Sequence, residues 1–374
     1  MTNQFQKQLS KETPISTGLS LQPKLGKQAQ WKTPKKGKLR IMPISDSPWA
    51  PTGFGTNTRN VSAILIKDGH HIGYAGCQNP SHSKYETEWP LGQTEKTVEW
   101  ENLPIMHAGQ ERFGEKSFPT WCKNFKPDII WTHLDFQMFQ HVAAFKKPKN
   151  ANIPLYNDNG KLLTRKERLT LMNNMFKEIQ KGPGWEWAAT IPFDGQPCVD
   201  TWQELLDLID YKICMSRYGQ LCMEEEFERC EESWYIPHGV DCNFFKPKMD
   251  PMYGNKKLKD IAGGAFVVGC VARNQHRKNI PQLVKGFKEF VDRNDLKPKD
   301  ARLMLHMDWN DGMGWKFPEF AERYNLEKYL LPTLMANLDA GEAPDDAGMV
   351  DIYNCMDVFV LPTAGEGFGI PTIE

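Results

Sequence analysis

Apolar and polar positions alternate along the first two thirds of the chain in blocks that predict strands separated by helices. A helix that begins at Thr56 or Thr58 and ends at Gly69 is predicted from an i, i+3, i+4 apolar stripe, formed by Val61, Ile64 and Leu65. A second helical face is formed by Trp202, Leu205, Leu206 and Ile209. Apolar runs typical of buried strands occur at 38–45, 71–76, 128–133, 186–192, 211–216 and 234–237. Strands separated by helices indicate a parallel sheet covered on both faces.

The same alternation restarts after a polar, lysine-rich interval at 246–260. AFVVGCVA (265–272) is an unbroken apolar run, as expected of a central parallel strand. Further strands are predicted at 301–307, 329–335 and 358–362, and helices around Leu283, Val284, Phe287, Phe290 and Val291 and around Met349, Ile352, Tyr353 and Met356. The sequence therefore predicts two doubly wound α/β domains, at 38–245 and 246–374.

Charge sets the beginning of the chain apart from the rest. Residues 1–38 contain eight lysines and one glutamate, whereas the whole chain has a net charge of -1. We therefore expect residues 1–37 to form a disordered basic tail. Two roles are open for this tail. It is either a solvated leader or a segment that makes a weak electrostatic contact with a membrane surface or nucleic acid. The total charge argues against a polyanionic partner for the molecule as a whole.

Cysteine usage and hydropathy bear on the compartment. There are nine cysteines, none in a C-x-x-C pair, which favours free thiols in a reducing cytoplasm. No run of 18 apolar residues and no apolar N-terminal segment occurs, so we expect neither a transmembrane helix nor a secretory signal. Cys214, Cys222 and Cys230 recur every eight residues, and core thiols are favoured there over a metal site.

Two predicted strands of the second half end in segments with unusual chemistry. In open α/β sheets, ligands bind beyond the carboxyl ends of the strands. The strand at 265–272 runs into RNQHRKN (273–279), which contains Arg273, His276, Arg277 and Lys278. Such cations suit a diphosphate, because Arg grips two oxygens and Lys adds a point charge. A solvated basic turn is the alternative for an isolated loop of this kind.

The strand at 358–362 runs into TAGEGFG, and IPTIE is predicted to begin a helix. The glycines let backbone N–H groups approach a ligand, and a helix N-terminus adds unpaired donors. Glu366 lies in this loop, and Glu374 is placed to accept hydrogen bonds from a vicinal diol such as a ribose. Together with the basic loop one strand away, the segment predicts a site for a phosphorylated sugar compound.

Three stretches strongly resemble the retaining glycosyltransferases of family 4, which have the GT-B fold. They are IPHGVDCNFFKP (236–247), VGCVARNQHRK (268–278) and DVFVLPTAGEGFGIPTIE (357–374). More loosely, 51–72 resembles the family's glycine loop and first helix, and 211–220 its strand-to-Ser turn. The resemblance implies two Rossmann-like domains facing a cleft, with the acceptor bound by 38–245 and the nucleotide-sugar donor by 246–374.

The resemblance also implies an activity of hexosyltransferase type. A sugar would move from a nucleotide-diphosphate donor to an acceptor hydroxyl with retained configuration. Arg273 and Lys278 would bind the diphosphate, Glu366 would lie beside the donor sugar, and Glu374 would hold the ribose hydroxyls. Backbone contacts to the donor would come from Gly367, Phe368 and Gly369, with Gly53 and Gly55 across the cleft and His133 near the reacting sugar. The acceptor stays open among glycans, lipids, small molecules and nucleic acids.

Cofactor requirements follow from the same comparison. The nucleotide sugar is a substrate, and no cofactor is expected. No D-x-D sequence occurs in the chain, so we expect no metal ion bridging the diphosphate. Fixed cations would stabilise the charge that develops on the leaving diphosphate. In the usual account of this class, the departing phosphate oxygen takes the acceptor's proton, and no protein nucleophile is required.

Departures from the family pattern define the alternatives. Family members continue beyond the position of Glu374, which predicts that this chain is a C-terminal truncation with an incomplete second domain and weak donor binding. His238 stands where the family usually has Asn. A nucleotide-sugar epimerase or hydrolase on the same fold and a DNA-modifying sugar transferase remain alternatives. A dehydrogenase is disfavoured, because Thr58 occupies the third glycine position of its fingerprint.

Overall fold

The computed structural model of the protein describes residues 37–48, 50, 52–77, 97–100, 103–107, 113–115, 117–146, 164–167, 170, 184–230, 232–253, 256–257, 262–309, 311–312, 314–331 and 346–374. Apart from Gly37, the predicted basic tail lies outside these residues. Among the helices of the described ranges, none is both long and apolar enough to cross a membrane.

The first sheet has nine strands, and its order places β1 near the centre. The strands are β1 (Arg40–Asp46), β2 (His71–Ile72), β3 (Tyr74–Cys77), β4 (Thr97–Trp100), β5 (Leu103–His107), β6 (Ile129–His133), β7 (Glu186–Ile191), β8 (Tyr211–Cys214) and β9 (Trp234–Tyr235). The order is β4-β5-β3-β1-β6-β7-β8-β9, with β2 also beside β1. All pairs are parallel except β4 with β5. The carboxyl ends of β1, β6 and β7 therefore lie together at one edge.

The second sheet has four parallel strands. They are β12 (Phe266–Val271), β13 (Ala301–His306), β14 (Leu330–Leu331) and β15 (Val358–Phe359), in the order β14-β13-β12-β15. Between the two sheets in sequence, β10 (Met252–Tyr253) and β11 (Lys256–Lys257) form an antiparallel pair. Because β12 and β15 are neighbours, the two loops predicted to bind a ligand leave the sheet side by side. The predicted pair of parallel α/β units is confirmed; the domain limits themselves stay a prediction.

Eight α-helices and five 3₁₀ turns cover the sheets in the described part of the chain. The helices are α1 (Gly53–Lys67), α2 (Phe118–Phe125), α3 (Gln140–Lys146), α4 (Gln203–Leu206), α5 (Arg217–Glu226), α6 (Ile280–Arg293), α7 (Phe317–Arg323) and α8 (Asp346–Tyr353). The turns are Phe136–Phe139, Asp200–Trp202, His276–Lys278, Glu327–Tyr329 and Ile370–Thr372. Four residues of the predicted stripe of α6, Leu283, Val284, Phe287 and Val291, pack with β12 and β13 in the second core. The fifth, Phe290, is 36% exposed, so its assignment to the buried face is wrong.

Helix α1 begins earlier than the sequence predicts. Thr52 has an extended backbone, and its hydroxyl accepts a hydrogen bond from the Gly55 N–H at 3.1 Å. Thr52 is therefore the N-cap, and the expected caps at Thr56 and Thr58 are wrong. Gly53 and Gly55 consequently lie in the first helical turn and not in a loop. The end near Gly69 is confirmed, since this glycine has a φ of +89° just after the helix.

Other elements are shorter than predicted or were missed. The strand expected at 358–362 comprises Val358–Phe359 only, and the helix expected after Gly369 is the single 3₁₀ turn Ile370–Thr372. Ile64 was assigned to the buried stripe of α1 but is 58% exposed. Of the strand expected at 329–335, Leu330–Leu331 is present, and 332–335 lie outside the described residues. The sequence did not predict β4, β5 or α2.

The nine cysteines are all free thiols. Cys214 ends β8, Cys222 lies in α5 and Cys230 follows that helix, and all three are buried in the core of the first sheet. They are core thiols, as predicted. Among the described residues, no group of three or more His, Cys, Asp or Glu side chains is arranged to hold a metal ion.

Candidate active site

The basic loop after β12 folds back toward the loop after β15. Its 3₁₀ turn, His276–Lys278, is ended by Asn279 in the left-handed region at a φ of +53°, and α6 follows directly. The Ala364 N–H donates to the Arg277 carbonyl at 2.8 Å. This backbone bond joins the basic loop to the glycine-rich loop at residues 363–369, so the two predicted ligand segments form one unit.

Glu366 is held between two cations of the basic loop. Its Oε1 forms an ion pair with Lys278 Nζ, and its Oε2 lies 3.3 Å from Arg277 Nη1. The Lys278 and Glu366 side chains are 11% and 18% exposed. Burial lowers the pKa of Lys278, although the hydrogen bond and charge of Glu366 act in the opposite direction. The structure thus brings two predicted site residues, Lys278 and Glu366, into direct contact.

Arg273 lies apart from this pair. Its Nε donates to Asp311 Oδ2 at 2.8 Å, and its side chain is 62% exposed. Arg277, which the family pattern did not assign, is the arginine that contacts Glu366. The binding of a diphosphate by Arg273 and Lys278, which the family pattern implies, stays a prediction, and the 3₁₀ turn adds Arg277 as a second cation beside the Glu366 carboxylate.

The glycine-rich loop also touches the first half of the molecule. Arg277 Nε lies 3.4 Å from Asp194 Oδ2, in the turn that follows β7, and Arg277 also donates to the Gly365 carbonyl. A Cβ at Gly365 would collide with the Asp194 carbonyl oxygen, and one at Gly367 would lie 2.8 Å from Pro192 Cβ. These glycines therefore permit a close approach between the two halves.

His133 ends β6 and is completely buried. Ser45 Oγ donates to the His133 carbonyl and accepts from the Thr58 hydroxyl. The Thr58 oxygen, 2.7 Å from His133 Nδ1, must then accept a hydrogen bond from the ring Nδ1–H. This network assigns the Nδ1–H tautomer and leaves Nε2 as an acceptor, for which the described part of the chain supplies no donor. The pKa of His133 is lowered well below its ordinary value, mainly by burial and to a smaller extent by the charge of His238.

Aromatic contacts connect His133 to the glycine-rich loop. The His133 and His238 ring centroids are 5.1 Å apart, and those of His238 and Phe368 are 5.2 Å apart. His238, which departs from the family pattern, therefore lies between the two halves. Burial lowers its pKa to about 4, so both histidines are neutral at pH 7.

The remaining predicted residues surround the same region. Glu374 Oε2 accepts a hydrogen bond from Tyr353 Oη at 2.6 Å, which fixes its carboxylate one turn after the loop. Gly369 has a φ of +83°. A Cβ at Gly53 would meet Ile370 at 3.6 Å, whereas one at Gly55 would lie 2.7 Å from the Ser47 carbonyl oxygen. Gly53 therefore faces the second half, and Gly55 packs within the first.

Two acidic residues of the first half were missed from the sequence. Asp46 is the last residue of β1 and is only 5% exposed. Burial raises its pKa to about 6, against the hydrogen bond from Thr52. Asp135 follows β6; it is accessible to solvent but has protein on most sides, and this desolvation raises its pKa. The available signal was their position directly after predicted strands.

These two parallel α/β units, with their strand ends facing each other, define the GT-B fold of glycosyltransferases. HepE of Anabaena, crystallised with UDP and glucose, matches with a TM-score of 0.56 and 14% identity over 89% of this chain and 77% of HepE. An E. coli structure bound with UDP-2-fluoro glucose matches at 0.54 with 13% identity, over 88% and 79%. An alpha,alpha-trehalose-phosphate synthase (UDP-forming) from Burkholderia vietnamiensis matches at 0.54 with 10% identity, over 90% and 79%.

These similarities confirm the predicted fold. No model of a known protein family matches the chain. No curated protein matches it either. The fold is therefore established by structural similarity alone.

Proposed function

We propose that this chain is a retaining glycosyltransferase of hexosyltransferase type, related to family 4. It moves a sugar from a nucleotide-diphosphate sugar to an acceptor hydroxyl. The observation that carries the proposal is the cluster of Lys278, Arg277 and Glu366 beside a glycine-rich loop, at the adjacent carboxyl ends of β12 and β15. The choice of donor is supported by structural neighbours with the same fold, one in complex with UDP and glucose and one bound with UDP-2-fluoro glucose.

The proposed chemistry requires stabilisation of a leaving diphosphate. The bond between the anomeric carbon and the diphosphate oxygen breaks, and a bond to the acceptor oxygen forms on the same face. The acceptor's proton passes to the departing phosphate oxygen. Lys278 and Arg273 offset the developing negative charge, and we add Arg277 because it lies beside Lys278 in the same turn. Cations in a partly desolvated site stabilise such a charge more strongly than cations in water.

Carboxylates and a neutral imidazole orient the donor in this proposal. Glu366 accepts hydrogen bonds from hydroxyls of the donor sugar while Lys278 and Arg277 hold its side chain. Glu374, fixed by Tyr353, accepts from the ribose hydroxyls. His133 Nε2 accepts from a further sugar hydroxyl, since the tautomer set by Thr58 presents a lone pair there. Backbone groups of Gly367, Phe368 and Gly369 complete the donor contacts, with Gly53 across the cleft.

A thermal-shift panel tests donor binding. UDP-, GDP- and ADP-sugars are compared with NAD, using the wild-type chain, Lys278→Ala and Arg273→Ala. A ligand at about 100 times its dissociation constant adds about 2.7 kcal/mol of stability. We expect one nucleotide sugar to raise the melting temperature of the wild type and both variants to lose that response. Lys288→Ala and Arg293→Ala are matched controls, because these two residues of α6 form ion pairs one helical turn away, with Asp292 and Glu289.

The outcomes separate the competing activities. A shift with NAD alone would overturn the proposal. Release of free sugar without any acceptor would favour a hydrolase, and conversion of the donor to a second nucleotide sugar would favour an epimerase. Transfer to DNA would identify the DNA-modifying alternative. The anomeric configuration of the product, read by proton nuclear magnetic resonance, checks retention.

The proposal includes metal independence and a cytoplasmic location. EDTA should leave donor binding and turnover unchanged, whereas a loss restored by Mg²⁺ or Mn²⁺ would contradict this point. A reducing compartment suits the nine free cysteines. The predicted truncation is tested by comparing the 374-residue chain with one extended along any open reading frame beyond residue 374. Tighter donor binding by the extended chain would support it.

A further inference from the structure

The wall of the cleft formed by the first sheet carries carboxylates at three neighbouring strand ends. Asp46 ends β1, Asp135 follows β6, and Asp194 follows β7. The three strands are adjacent and parallel, so these residues lie along one edge. The three carboxylates are also coupled electrostatically. In addition to the larger effect of burial, the charge of Asp135 raises the pKa of Asp46, and the charge of Asp194 raises the pKa of Asp135. We call Asp46, Asp135 and Asp194 the acidic wall.

Asp46 has a hydrogen-bonding capacity that the described part of the chain leaves unused. Its Oδ2 accepts from the Thr52 hydroxyl at 2.7 Å. Its Oδ1 is buried, and no described residue donates a hydrogen bond to it. A buried carboxylate oxygen without a hydrogen bond costs free energy, so a ligand that donates a hydrogen bond to Oδ1 removes this cost.

The charges around Asp46 come from both sides of the cleft. Asp135 lies on its own wall and raises its pKa, while Arg273 of the opposite wall lowers it. Arg59 of α1 is buried nearby and donates to the Pro48 carbonyl at 3.4 Å. On the opposite wall, Arg273 is paired with Asp311. The first wall therefore carries three carboxylates, and Arg273 and Arg277 reach toward it from the second half, where they also pair with Asp311 and Glu366.

We propose that the acceptor binds against the acidic wall, donates a hydrogen bond to Asp46 Oδ1, and is a neutral polyol or an amine-bearing sugar and not a sugar phosphate. The inference rests on the proposed function and adds the acceptor class to it. A hydroxyl or ammonium group satisfies Oδ1, and hydrogen bonds to a charged acceptor are the stronger kind. A phosphorylated acceptor would bring like charge against Asp46 and Asp135, while Asp194 is already paired with Arg277.

Acceptor-dependent release of nucleoside diphosphate tests this assignment. The donor found by the thermal-shift panel is mixed with glucose, glucosamine or glucose 6-phosphate at equal concentration, and release is compared with that in water alone. Glucose 6-phosphate is included as the alternative acceptor, since one structural neighbour is a trehalose-phosphate synthase by name. We expect glucose or glucosamine to stimulate release and glucose 6-phosphate to have no effect.

Variants of the acidic wall test the role of Asp46 directly. Asp46→Asn should raise the acceptor KM by about 10- to 100-fold, as loss of a hydrogen bond to a charged group implies, while the donor-induced thermal shift persists. Asp135→Asn should weaken acceptor binding less than Asp46→Asn does, because Asp135 is exposed to solvent. Asp207→Asn is the matched control, since Asp207 pairs with Arg229 on the surface.

Three results would overturn the inference: stronger stimulation by glucose 6-phosphate than by glucose, an unchanged KM in Asp46→Asn, or no stimulation by any probe. These results leave the proposed function standing if the donor shift is present. Absence of a shift with every nucleotide sugar would instead defeat the proposed function, and the inference with it.

Discussion

At the scale of single residues, the site combines charged groups whose partners are known with polar atoms that have none. Lys278, Arg277 and Glu366 satisfy one another, whereas Asp46 Oδ1 and His133 Nε2 have no donor among the described residues. The first group is stable without a ligand, and the second gains from one. The difference makes the two sets separable by mutation.

Asp46 should oppose folding at neutral pH. Its carboxyl has an ordinary pKa of 3.8 and a folded-state pKa of about 6, so the folded chain binds more protons between these values. Stability contributed by this group therefore falls as pH rises through that window. We expect Asp46→Asn to be more stable than the wild type by up to about 3 kcal/mol at pH 7.5 and nearly equal at pH 4.

Chemical denaturation of both proteins at pH 4, 6 and 7.5 measures this difference. Asp207→Asn controls for the loss of a surface carboxylate. A stability difference that stays constant with pH would show that Asp46 titrates normally.

Lys278 and Glu366 should be coupled energetically. Removing one partner of a buried pair leaves an uncompensated charge, so Glu366→Ala should lower the free energy of unfolding by about 3 kcal/mol. Lys278→Ala should cost less, because Arg277 still faces Glu366. A double-mutant cycle should give a coupling energy of about 1–3 kcal/mol. The exposed pair of Glu289 and Arg293 provides the control cycle, and equal coupling in both cycles would contradict the prediction.

At the scale of elements, the site depends on two short connections that approach each other. The turn after β7 and the glycine-rich loop after β15 come from different sheets, yet they contact through Gly365, Gly367 and Asp194. Neither segment belongs to a long helix or strand, so their geometry is set by the elements on either side.

Gly365→Ala should separate these two segments. A Cβ at this position would collide with backbone, which cannot move as a flexible side chain does. We expect a lower melting temperature and loss of the donor-induced thermal shift. Gly195→Ala is the matched control in the opposing turn, because nothing lies within 4 Å of a Cβ there. Equal behaviour of the two variants would show that the contact has no role in binding.

The elements also show which features the sequence could predict. Apolar runs identified every strand that ends at the site: β1, β6, β7 and β12 are buried along almost their whole length, and β15 is a short apolar strand whose Val358 is exposed. The start of α1 was missed, since Thr52, the residue directly before Gly53, caps the helix. The choice between Arg273 and Arg277 depended on a single 3₁₀ turn, and the burial of Asp46 depended on strands far away in sequence. Local patterns carry no information on either point.

At the scale of the whole molecule, buried neutral histidines should set the acid limit of stability. Burial lowers the pKa of His141 to about 3 and that of His306 to about 4, and His133 and His238 are lowered too. The unfolded chain binds protons on these groups from about pH 6.5 downward. The stability they contribute is therefore present above that pH and is lost as pH falls toward 4.

His141→Phe isolates one of these groups. The ring lies among Phe118 and Phe139, so phenylalanine suits its surroundings. Between pH 7 and pH 5 the wild type should lose about 2 kcal/mol more stability than the variant. Urea denaturation at both pH values measures the difference, and parallel losses in the two proteins would refute the assignment to His141.

The contact between the glycine-rich loop and the turn after β7 has a consequence for the timing of catalysis. If the nucleotide sugar of the proposed reaction enters between Gly365 and Asp194, which touch in this structure, each catalytic cycle would include the separation and return of these two segments. Such a movement displaces solvent, and its rate falls as the viscosity of the solution rises. Turnover limited by this step would slow in proportion to added sucrose or glycerol, whereas turnover limited by bond breaking would be insensitive to viscosity.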